Sequence, residues 1–196
     1  MKQRSKNWQK ASLLIEKDKL YPLDEALELL PKISYVKFDP AIEVHIKTNP
    51  KKKIVIRQTV NLPHGTGKEP KIAIFSEDIL AEIQKGKFNF DILLARPVDM
   101  PKLAKVARVL GPKGLMPNPK SKTLTENPEA EIKNIKKGQI EFKADPEGNI
   151  HQIIGKLSWD KRKLAENFNA LIDAARQFNP VSVIISSTMG PGLKIA

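Results

Sequence analysis

The sequence predicts an α/β protein, and three patterns along its 196 residues carry that prediction. Residues 41–47 alternate apolar and polar side chains, which is typical of a strand with one buried and one open face. Residues 71–110 run twice through a short apolar strand and an amphipathic helix. Residues 158–178 place apolar side chains at helical spacing. Together these patterns predict helices packed on sheets, including one parallel sheet.

The chain begins with two predicted helices and two predicted strands. The first helix covers residues 8–17, and the second begins near Pro22, because a proline near the first turn followed by acidic residues favours a helix start. The strand at 41–47 is followed by a charged turn at 49–53 and a second strand at 54–60.

The predicted strand at 41–47 has two distinct faces. Its side chains divide into an apolar set, Ile42, Val44 and Ile46, and a polar set, Glu43, His45 and Lys47. The polar set predicts a solvent-accessible sheet surface. Residues 61–67 then hold one proline and two glycines, which predicts a break in regular structure and a natural hinge.

Two β–α units follow this hinge. Short apolar strands are predicted at 71–75 and 91–95, and helices at 77–85 and 101–110, with Gly86 ending the first of these helices. Strands that alternate with helices in this way form parallel sheets flanked by helices.

The segment 111–119 contains two glycines and three prolines among its nine residues. It is predicted to be neither helix nor central strand, because proline lacks a backbone N–H and glycine opens positive φ. Leu115 and Met116 in its middle predict that this loop packs against the protein. Residues 100–125 include no acidic residue and six cations, which are Lys102, Lys105, Arg108, Lys113, Lys120 and Lys122. A rigid basic loop of this kind suits a phosphate-rich partner.

Another helix and a pair of strands follow the basic loop. Asn127 is predicted to cap a helix that ends at Gly138, since asparagine is a favoured N-cap and glycine a favoured helix stop. Strands at 139–144 and 149–156 flank a turn of Asp, Pro, Glu and Gly.

The chain ends with a long helix and a last strand. Ser158 is predicted to cap the helix, which stops at Asn179 and Pro180, and the strand covers residues 181–187. Beyond it lies a turn sequence, Thr-Met-Gly-Pro-Gly, at residues 188–192.

The composition points to a polyanionic partner. Lysine and arginine number 34 against 22 acids, which gives a formal net charge of +12 and a pI near 9.8. The alternative from composition alone is a merely soluble basic protein. The absence of cysteine excludes disulfides, cysteine-based zinc sites and thiol catalysis. We expect no signal peptide and no transmembrane span.

No pattern predicts catalysis, a cofactor or a metal site. The segment 65–68 resembles part of a phosphate-binding loop, but leucine and glutamate occupy positions where that motif needs glycine and serine or threonine. The three histidines lie far apart in sequence and have no ligand-spaced partners. His45 beside Glu43 allows an acid/base pair, and the alternative is a solvated strand face. Neither Ser158 nor Ser187 has a nucleophile-elbow context.

Two segments carry better signals for nucleic acid. Lys37 and Phe38 precede the first strand, where Lys37 suits a phosphate and Phe38 suits stacking on a base or sugar. The alternative is that Phe38 packs beneath the strand. Residues 186–192 offer hydroxyls, a flexible methionine and glycine, which suit contacts to the 2′-OH and close approach of backbones.

These pieces together resemble the bacterial L-one family of large-subunit ribosomal proteins. The segments that carry the resemblance, in chain order from about residue 20, are 37–39, 43–45, 61–68, 111–119, 138–142, 154–156 and 187–191. The resemblance implies a first domain split between both chain ends, residues 1–66 and 150–196, and an inserted Rossmann-like, three-layer α/β second domain at 67–149. The second domain is shorter than the family pattern by one α–β unit, because Phe75 leads through a single helix to the next strand.

The resemblance also implies site residues. The main rRNA contact is expected from Lys37, Phe38, Glu43, Lys156, Ser187, Thr188, Met189 and Gly190. Secondary RNA contacts are expected from Lys113, Lys120 and Lys122. Domain motion is expected at the glycines Gly65, Gly67 and Gly148.

The implied function is that of a non-catalytic constituent of the large ribosomal subunit, in the cytoplasm and away from membranes. Members of the family bind the mobile stalk of rRNA beside the tRNA exit site, assist release of deacylated tRNA, and in many bacteria repress translation of their own mRNA. We expect a monomer away from the ribosome. Two alternatives stay open on sequence alone, which are a general RNA-binding protein and a small α/β enzyme acting on RNA.

Overall fold

The computed structural model describes residues 5–16, 19–48, 56–86 and 88–196. Three sequence-based predictions concern, in part or in whole, residues outside these ranges. The charged turn at 49–53, the first two residues of the strand predicted at 54–60, and the last residue of the helix predicted at 8–17 lie outside the described residues.

Seven helices and eight strands occupy the described residues. The helices are α1 (Lys6–Leu13), α2 (Leu23–Ile33), α3 (Glu77–Gln84), α4 (Met100–Ala104), α5 (Ala107–Lys113), α6 (Pro128–Lys136) and α7 (Lys161–Ala175). The strands are β1 (Ala41–Thr48), β2 (Arg57–Asn61), β3 (Ile72–Ile74), β4 (Ile92–Leu94), β5 (Gln139–Lys143), β6 (Asn149–Lys156), β7 (Pro180–Ser187) and β8 (Gly192–Ile195). This mixture confirms the predicted α/β class. No helix within these ranges is long and apolar enough to cross a membrane.

A four-stranded antiparallel sheet in the order β6–β1–β7–β8 is the largest sheet. Its central strand β1 alternates as predicted, since Ile42, Val44 and Ile46 are fully buried. Helices α2 and α7 pack against each other and against this sheet. The apolar face of the sheet therefore meets these helices in the larger core, and the opposite face stays open.

The strand register decides which side chains share the open face. Residues directly opposite each other in an antiparallel pair point to the same side of the sheet. His45 lies opposite His151 on β6 and Ile184 on β7, and Glu43 lies opposite Ser186 on β7. The open side of β1 is thus continued across its neighbours by polar side chains together with Ile153 and Ile184.

A second, smaller core surrounds the parallel pair β3–β4. Its buried residues come from α3, β4, α4, α5 and the segments between them, and they include Ile83, Leu93, Leu103 and Leu110. The parallel pairing confirms the prediction from the alternating strands and helices. Leu115 and Met116 pack against this core, as the apolar middle of the 111–119 segment predicted.

The antiparallel pair β2–β5 lies where the chain passes between the two cores. Leu62, just after β2, donates its N–H to the carbonyl of Gly138, just before β5, at 3.0 Å. Gly138 has a φ of 100°, and a Cβ there would lie 2.3 Å from the Leu62 carbonyl oxygen. Only glycine fits this close approach. The outgoing segment, which leaves the larger core after β2, is therefore held beside the returning segment, which leads into β5.

A buried asparagine on α7 fastens the outgoing segment. The Asn167 side chain is fully buried, accepts from the His64 N–H at 3.1 Å, and donates to the carbonyls of Gly65 at 2.8 Å and Ile154 at 2.7 Å. These bonds tie residues 64–65 to both α7 and β6. The predicted hinge therefore starts with a segment that is bonded firmly to the larger core.

The prediction that the whole segment 111–119 is non-helical was wrong. Residues 111–113 form the last turn of α5, with Pro112 inside the helix. The helix ends at Lys113, one residue after Pro112, and its C-cap is Gly114, whose φ is 71°. The N–H of Leu115 donates to the Leu110 carbonyl and that of Gly114 to the Gly111 carbonyl, which is a Schellman ending.

Two further local expectations were wrong. The cap of α7 is Asp160, whose carboxylate accepts from the Arg162 N–H, while Ser158 donates instead to Asp39. The helix predicted at 101–110 is divided into α4 and α5 by a turn at residues 105–106. Asn127 occupies the N-cap position of α6 as predicted, although its side chain makes no capping bond.

Replacing Asn167 tests how strongly the outgoing segment is held. Asn167→Ala is expected to lower the free energy of unfolding by about 2–4 kcal/mol, because the buried partners of its side chain lose their hydrogen bonds. Asn169→Ala, on an exposed position of the same helix, is the matched control and is expected to change it by less than about 0.5 kcal/mol. Urea denaturation measures both, and equal effects of the two substitutions would contradict the assignment.

Candidate nucleic-acid interface

The open face of the four-stranded sheet is polar and carries few carboxylates. Glu43, His45 and Lys47 line its central strand, as the alternation predicted. Neighbouring strands add residues opposite them, which are Asn149, His151 and Ile153 on β6, Ser182, Ile184 and Ser186 on β7, and Lys194 on β8. Hydroxyl, imidazole and ammonium groups of this kind suit hydrogen bonds to sugars, bases and phosphates.

Thr188 and Glu43 meet at one end of this face. The Thr188 N–H donates to the Ala41 carbonyl at 2.9 Å, which extends the β1–β7 pairing by one bond. The Thr188 hydroxyl lies 3.2 Å from the same carbonyl oxygen and 3.3 Å from Glu43 Oε1, so its single hydrogen is shared between two acceptors. Thr188 and Glu43 were both predicted as site residues from the sequence, and the structure adds that they contact each other.

Residues 187–190 form a tight turn beyond β7. The Gly190 N–H donates to the Ser187 carbonyl at 2.8 Å. A Cβ on Gly190 would lie 2.4 Å from Ser187 Oγ, so a larger residue would displace that side chain. Met189 adopts a positive φ of 69° and leaves its side chain 67% exposed. The turn therefore presents a methionine to solvent and needs glycine after it.

Ser187 is placed differently from the other predicted contact residues. It is only 2% exposed, and its hydroxyl is buried without a hydrogen-bond partner among the described residues. It lies opposite Ile42, whose side chain belongs to the core. The Ser187 hydroxyl is thus enclosed by the turn rather than presented on the surface.

Lys37 and Phe38 form the approach to β1. Both are exposed, and Phe38 is 57% exposed, so the alternative in which its ring packs beneath the strand is wrong. The next residue, Asp39, accepts from the Ser158 N–H at 3.1 Å and the Ser158 hydroxyl at 2.8 Å. These bonds anchor the segment beside Phe38 to the loop that follows β6.

Lys156 lies at the end of β6, opposite Ala41. Ala41 is also the residue whose carbonyl binds Thr188. The register thus places Lys156, Glu43 and Thr188 at the same end of the sheet, as the sequence-based site requires.

A row of polar side chains crosses the middle of the open face. The sequence did not predict that these residues contact each other. The Nδ1 atoms of His45 and His151 lie 2.8 Å apart, and His45 Nε2 lies 3.0 Å from the Ser186 hydroxyl. On the far side, His151 Nε2 lies 3.6 Å from an oxygen of Asp145. Strand pairing places His45 opposite His151 although the two residues are 106 positions apart in the chain.

Burial lowers the pKa of His45, and the facing His151 imidazole lowers it further, while Glu43 acts in the opposite direction. The described residues hold no group of three or more histidine, aspartate or glutamate side chains arranged for a metal ion. The contacts of His45 with His151 and Ser186 make the cluster a hydrogen-bonded polar row.

The predicted secondary contacts belong to elements around the smaller core. Lys113 ends α5, and its Nζ lies 3.4 Å from the centre of the Phe88 ring, a cation–π contact. Lys120 and Lys122 are exposed on a single 3₁₀ turn, Pro119–Ser121, and the residue after it. That turn lies against β2, so these two lysines sit close to the passage between the cores.

The predicted hinge glycines all have positive φ, which is 65° at Gly65, 75° at Gly67 and 85° at Gly148. Gly67 lies against Trp159, because a Cβ there would be 2.9 Å from its ring. Gly148 belongs to the turn between β5 and β6, where its N–H donates to the Asp145 carbonyl. The three glycines therefore do not share one location.

The lowered pKa of His45 predicts a pH dependence of stability. Below the ordinary pKa of 6.5 the unfolded chain binds a proton that the native His45 resists, so stability is complete above 6.5 and falls as the pH decreases. His45→Asn is expected to reduce this loss of stability at low pH. His151→Asn is expected to reduce it less, because His45 is still partly buried in that variant. Unfolding curves between about pH 7.5 and 5 measure it; identical pH slopes for wild type and His45→Asn would contradict the assignment.

Comparison with known proteins assigns the chain to a family. The model of the ribosomal protein L1p/L10e family matches residues 77–191. The large ribosomal subunit protein uL1 of Kosmotoga olearia is 38% identical, with the whole of this chain and 97% of the relative aligned. The proteins of the same name from Saccharopolyspora erythraea and Mycoplasma capricolum subsp. capricolum are each 40% identical, over 94% and 97% of their lengths and 100% and 97% of this chain.

The alignments with the first two relatives span 224 positions, whereas this chain has 196 residues, so those relatives carry residues that it lacks. The family consists of ribosomal proteins rather than enzymes, which confirms the prediction that this chain is not an enzyme. On its match to the family model over more than half of its length, and on its identity to relatives along the whole chain, this protein belongs to the ribosomal protein L1p/L10e family.

Proposed function

We propose that this protein is a structural constituent of the large ribosomal subunit in the cytoplasm and binds rRNA through the open face of its four-stranded sheet. The relatives named above are large ribosomal subunit proteins, which supports the ribosomal role. The main observation in support of this RNA surface is that the Thr188 hydroxyl lies within hydrogen-bond distance of Glu43 and of the Ala41 carbonyl. These contacts lie at one end of the open sheet face, beside the exposed Met189.

The chemistry of this surface fits a structured RNA. Exposed Phe38 and Met189 offer apolar area to bases and riboses, and Lys37 and Lys156 offer charge to phosphates. The protein's net charge of +12 adds long-range attraction to any polyanion. Selectivity has to come from the fixed polar groups on the sheet, since charge alone does not distinguish one RNA from another.

Glu43 has a defined place in this proposal despite its negative charge. Its Oε1 lies near the Thr188 hydroxyl, and its Oε2 lies 4.0 Å from His45 Nε2. A carboxylate in this position accepts a hydrogen bond from a 2′-OH or a base amino group, while it orients Thr188. Ser187 is proposed to act beneath the surface, because its side chain is buried.

The secondary contacts are proposed for Lys113, Lys120 and Lys122. All three lysines are exposed, Lys120 and Lys122 lie close to the passage between the cores, and residues 100–125 include no acid. Contacts to phosphates here would add affinity that is independent of RNA sequence.

The finer roles follow from the family resemblance and are proposals for this chain. The rRNA is proposed to be the mobile stalk beside the tRNA exit site, whose movement assists release of deacylated tRNA. Binding to a stalk-like structure in the chain's own mRNA, with repression of its translation, is proposed as a second use of the same surface. Away from the ribosome, a monomer is proposed.

Two domains are proposed around the two cores, with residues 1–66 and 150–196 in the first and 67–149 in the second. The larger core joins α2 and β1 near one chain end with α7, β7 and β8 near the other, which supports a split first domain. It also includes Phe142 of β5, so the boundary on the returning segment runs close to this strand. Because Asn167 holds residues 64–65, domain motion is proposed to arise beyond Gly65.

Binding to a stalk-rRNA fragment, compared with a random duplex of equal length across a salt series, tests the proposed function. We expect a clear preference for the stalk that persists at high salt, because shape and 2′-OH contacts are screened less than phosphate contacts. Equal and steeply salt-dependent binding to both RNAs would leave only a general basic RNA binder and would overturn the proposal.

Thr188→Val tests the role of the Thr188 hydroxyl, which contacts Glu43. The substitution keeps the side-chain shape and removes the hydroxyl, so stalk binding is expected to weaken by about 1–3 kcal/mol, with the chain still folded. Thr188→Ser retains the hydroxyl and is the matched control, expected to bind much more nearly as wild type does. Titration of labelled stalk RNA measures the dissociation constants, and an unchanged value for Thr188→Val would refute the role.

A further inference from the structure

Two exposed apolar side chains of the proposed RNA surface come from distant parts of the chain. Phe38 follows α2 and is 57% exposed, and Met189 follows β7 and is 67% exposed. A surface that offers both to one RNA must hold their two segments in a fixed relation, because ordering them during binding would cost conformational entropy.

A tyrosine hydrogen bond joins these two segments directly. Tyr35 lies three residues before Phe38, and its hydroxyl donates to the carbonyl oxygen of Met189 at 2.6 Å. The Tyr35 ring is partly buried and packs against the larger core. The ring is therefore held by packing, and its hydroxyl reaches from the core to the backbone of the turn.

The turn that receives this bond has an unfavourable backbone conformation. Met189 has a φ of 69°, in the left-handed region that favours glycine. The Gly190 N–H donates to the Ser187 carbonyl, which makes Met189 the third residue of a β-turn, where a positive φ is usually supplied by glycine or asparagine. Methionine at this place keeps the exposed side chain and needs outside support for the backbone.

The position of Tyr35 matches that need. Its bond acts on the carbonyl of the strained residue itself, and the other end of the bond lies in the segment that leads to Phe38. Thr188, next to Met189, is bonded to Ala41 and lies near Glu43 at the start of β1. The turn is thus fixed on one side by β1 and on the other by Tyr35.

We propose that Tyr35 is a positioning residue for the RNA surface, whose hydroxyl holds the turn at residues 187–190 in its binding conformation and sets Met189 relative to Phe38. This inference rests on the proposed function and adds a residue that the sequence-based site does not contain. Tyr35 acts through the turn and does not itself need to touch RNA.

Tyr35→Phe removes only the hydroxyl, while the ring that packs on the core remains. We expect the dissociation constant for the stalk-rRNA fragment to rise about 3- to 10-fold, which corresponds to the net loss of one hydrogen bond. Hydrogen exchange of the Gly190 amide, followed by NMR in the free protein, is expected to accelerate. Exchange of amides within the β1–β7 pairing is expected to stay as in wild type.

Tyr21→Phe is the matched control, because Tyr21 and Tyr35 are the two tyrosines of the chain. The Tyr21 hydroxyl accepts from the Glu16 N–H, and its ring is buried near β8, so the same chemical change is made away from the turn. We expect wild-type stalk binding and wild-type Gly190 exchange for this variant.

The outcomes separate the inference from the function on which it rests. Wild-type affinity for Tyr35→Phe, or weaker binding without faster Gly190 exchange, would overturn the positioning role while the RNA-binding function stands. The role would also fail if Tyr21→Phe weakened binding equally. A wild-type protein that shows no preference for the stalk would overturn the function itself.

Discussion

The pairing of β1 between two antiparallel neighbours is the constraint on which the proposed site depends. Its alternating residues leave one workable register, because a shift by one residue would bury Glu43 and His45 and expose the isoleucines. With α2 and α7 covering the apolar side, Glu43, His45 and Lys47 must lie on the open side. The same register brings His151 and Ser186 into line with His45. One strand thus determines both the larger core and the composition of the proposed RNA surface.

The rigid sheet and the turn at its end make different contributions to the proposed recognition. The sheet supplies fixed hydroxyl and imidazole groups at spacings set by strand pairing. The turn supplies Met189, which can fit against a base or ribose, but only if an unfavourable backbone angle is maintained. Bonds from Thr188 and Tyr35 hold that turn from two sides. We therefore expect RNA affinity to depend on local order in residues 187–190 as well as on charge.

The sequence was most informative where the pattern is periodic and local. The alternation at 41–47, the alternating strands and helices at 71–110 and most of the strands were predicted, since burial on one face leaves a regular signature. The strand β8 was missed because its four residues begin with Gly192 and directly follow a turn sequence rich in glycine and proline. Pro112 lies within α5 although proline disfavours helix interiors, so the start of the 111–119 segment was predicted wrongly. Asn167 and Tyr35 resembled ordinary polar residues, because their partners lie 102 and 154 residues away. Contacts of that range depend on the tertiary fold and leave no local pattern.

Hydrogen exchange of the whole protein, measured by mass spectrometry with and without the stalk-rRNA fragment, tests the central claim that the open sheet face is the main RNA surface. We expect RNA to slow exchange most in β1 and in residues 185–192, less at the ends of β6, and not at all on the outer side of α7. Protection confined to residues 95–122, with no change in β1 or in residues 185–192, would contradict the account and place the main contact on the smaller core.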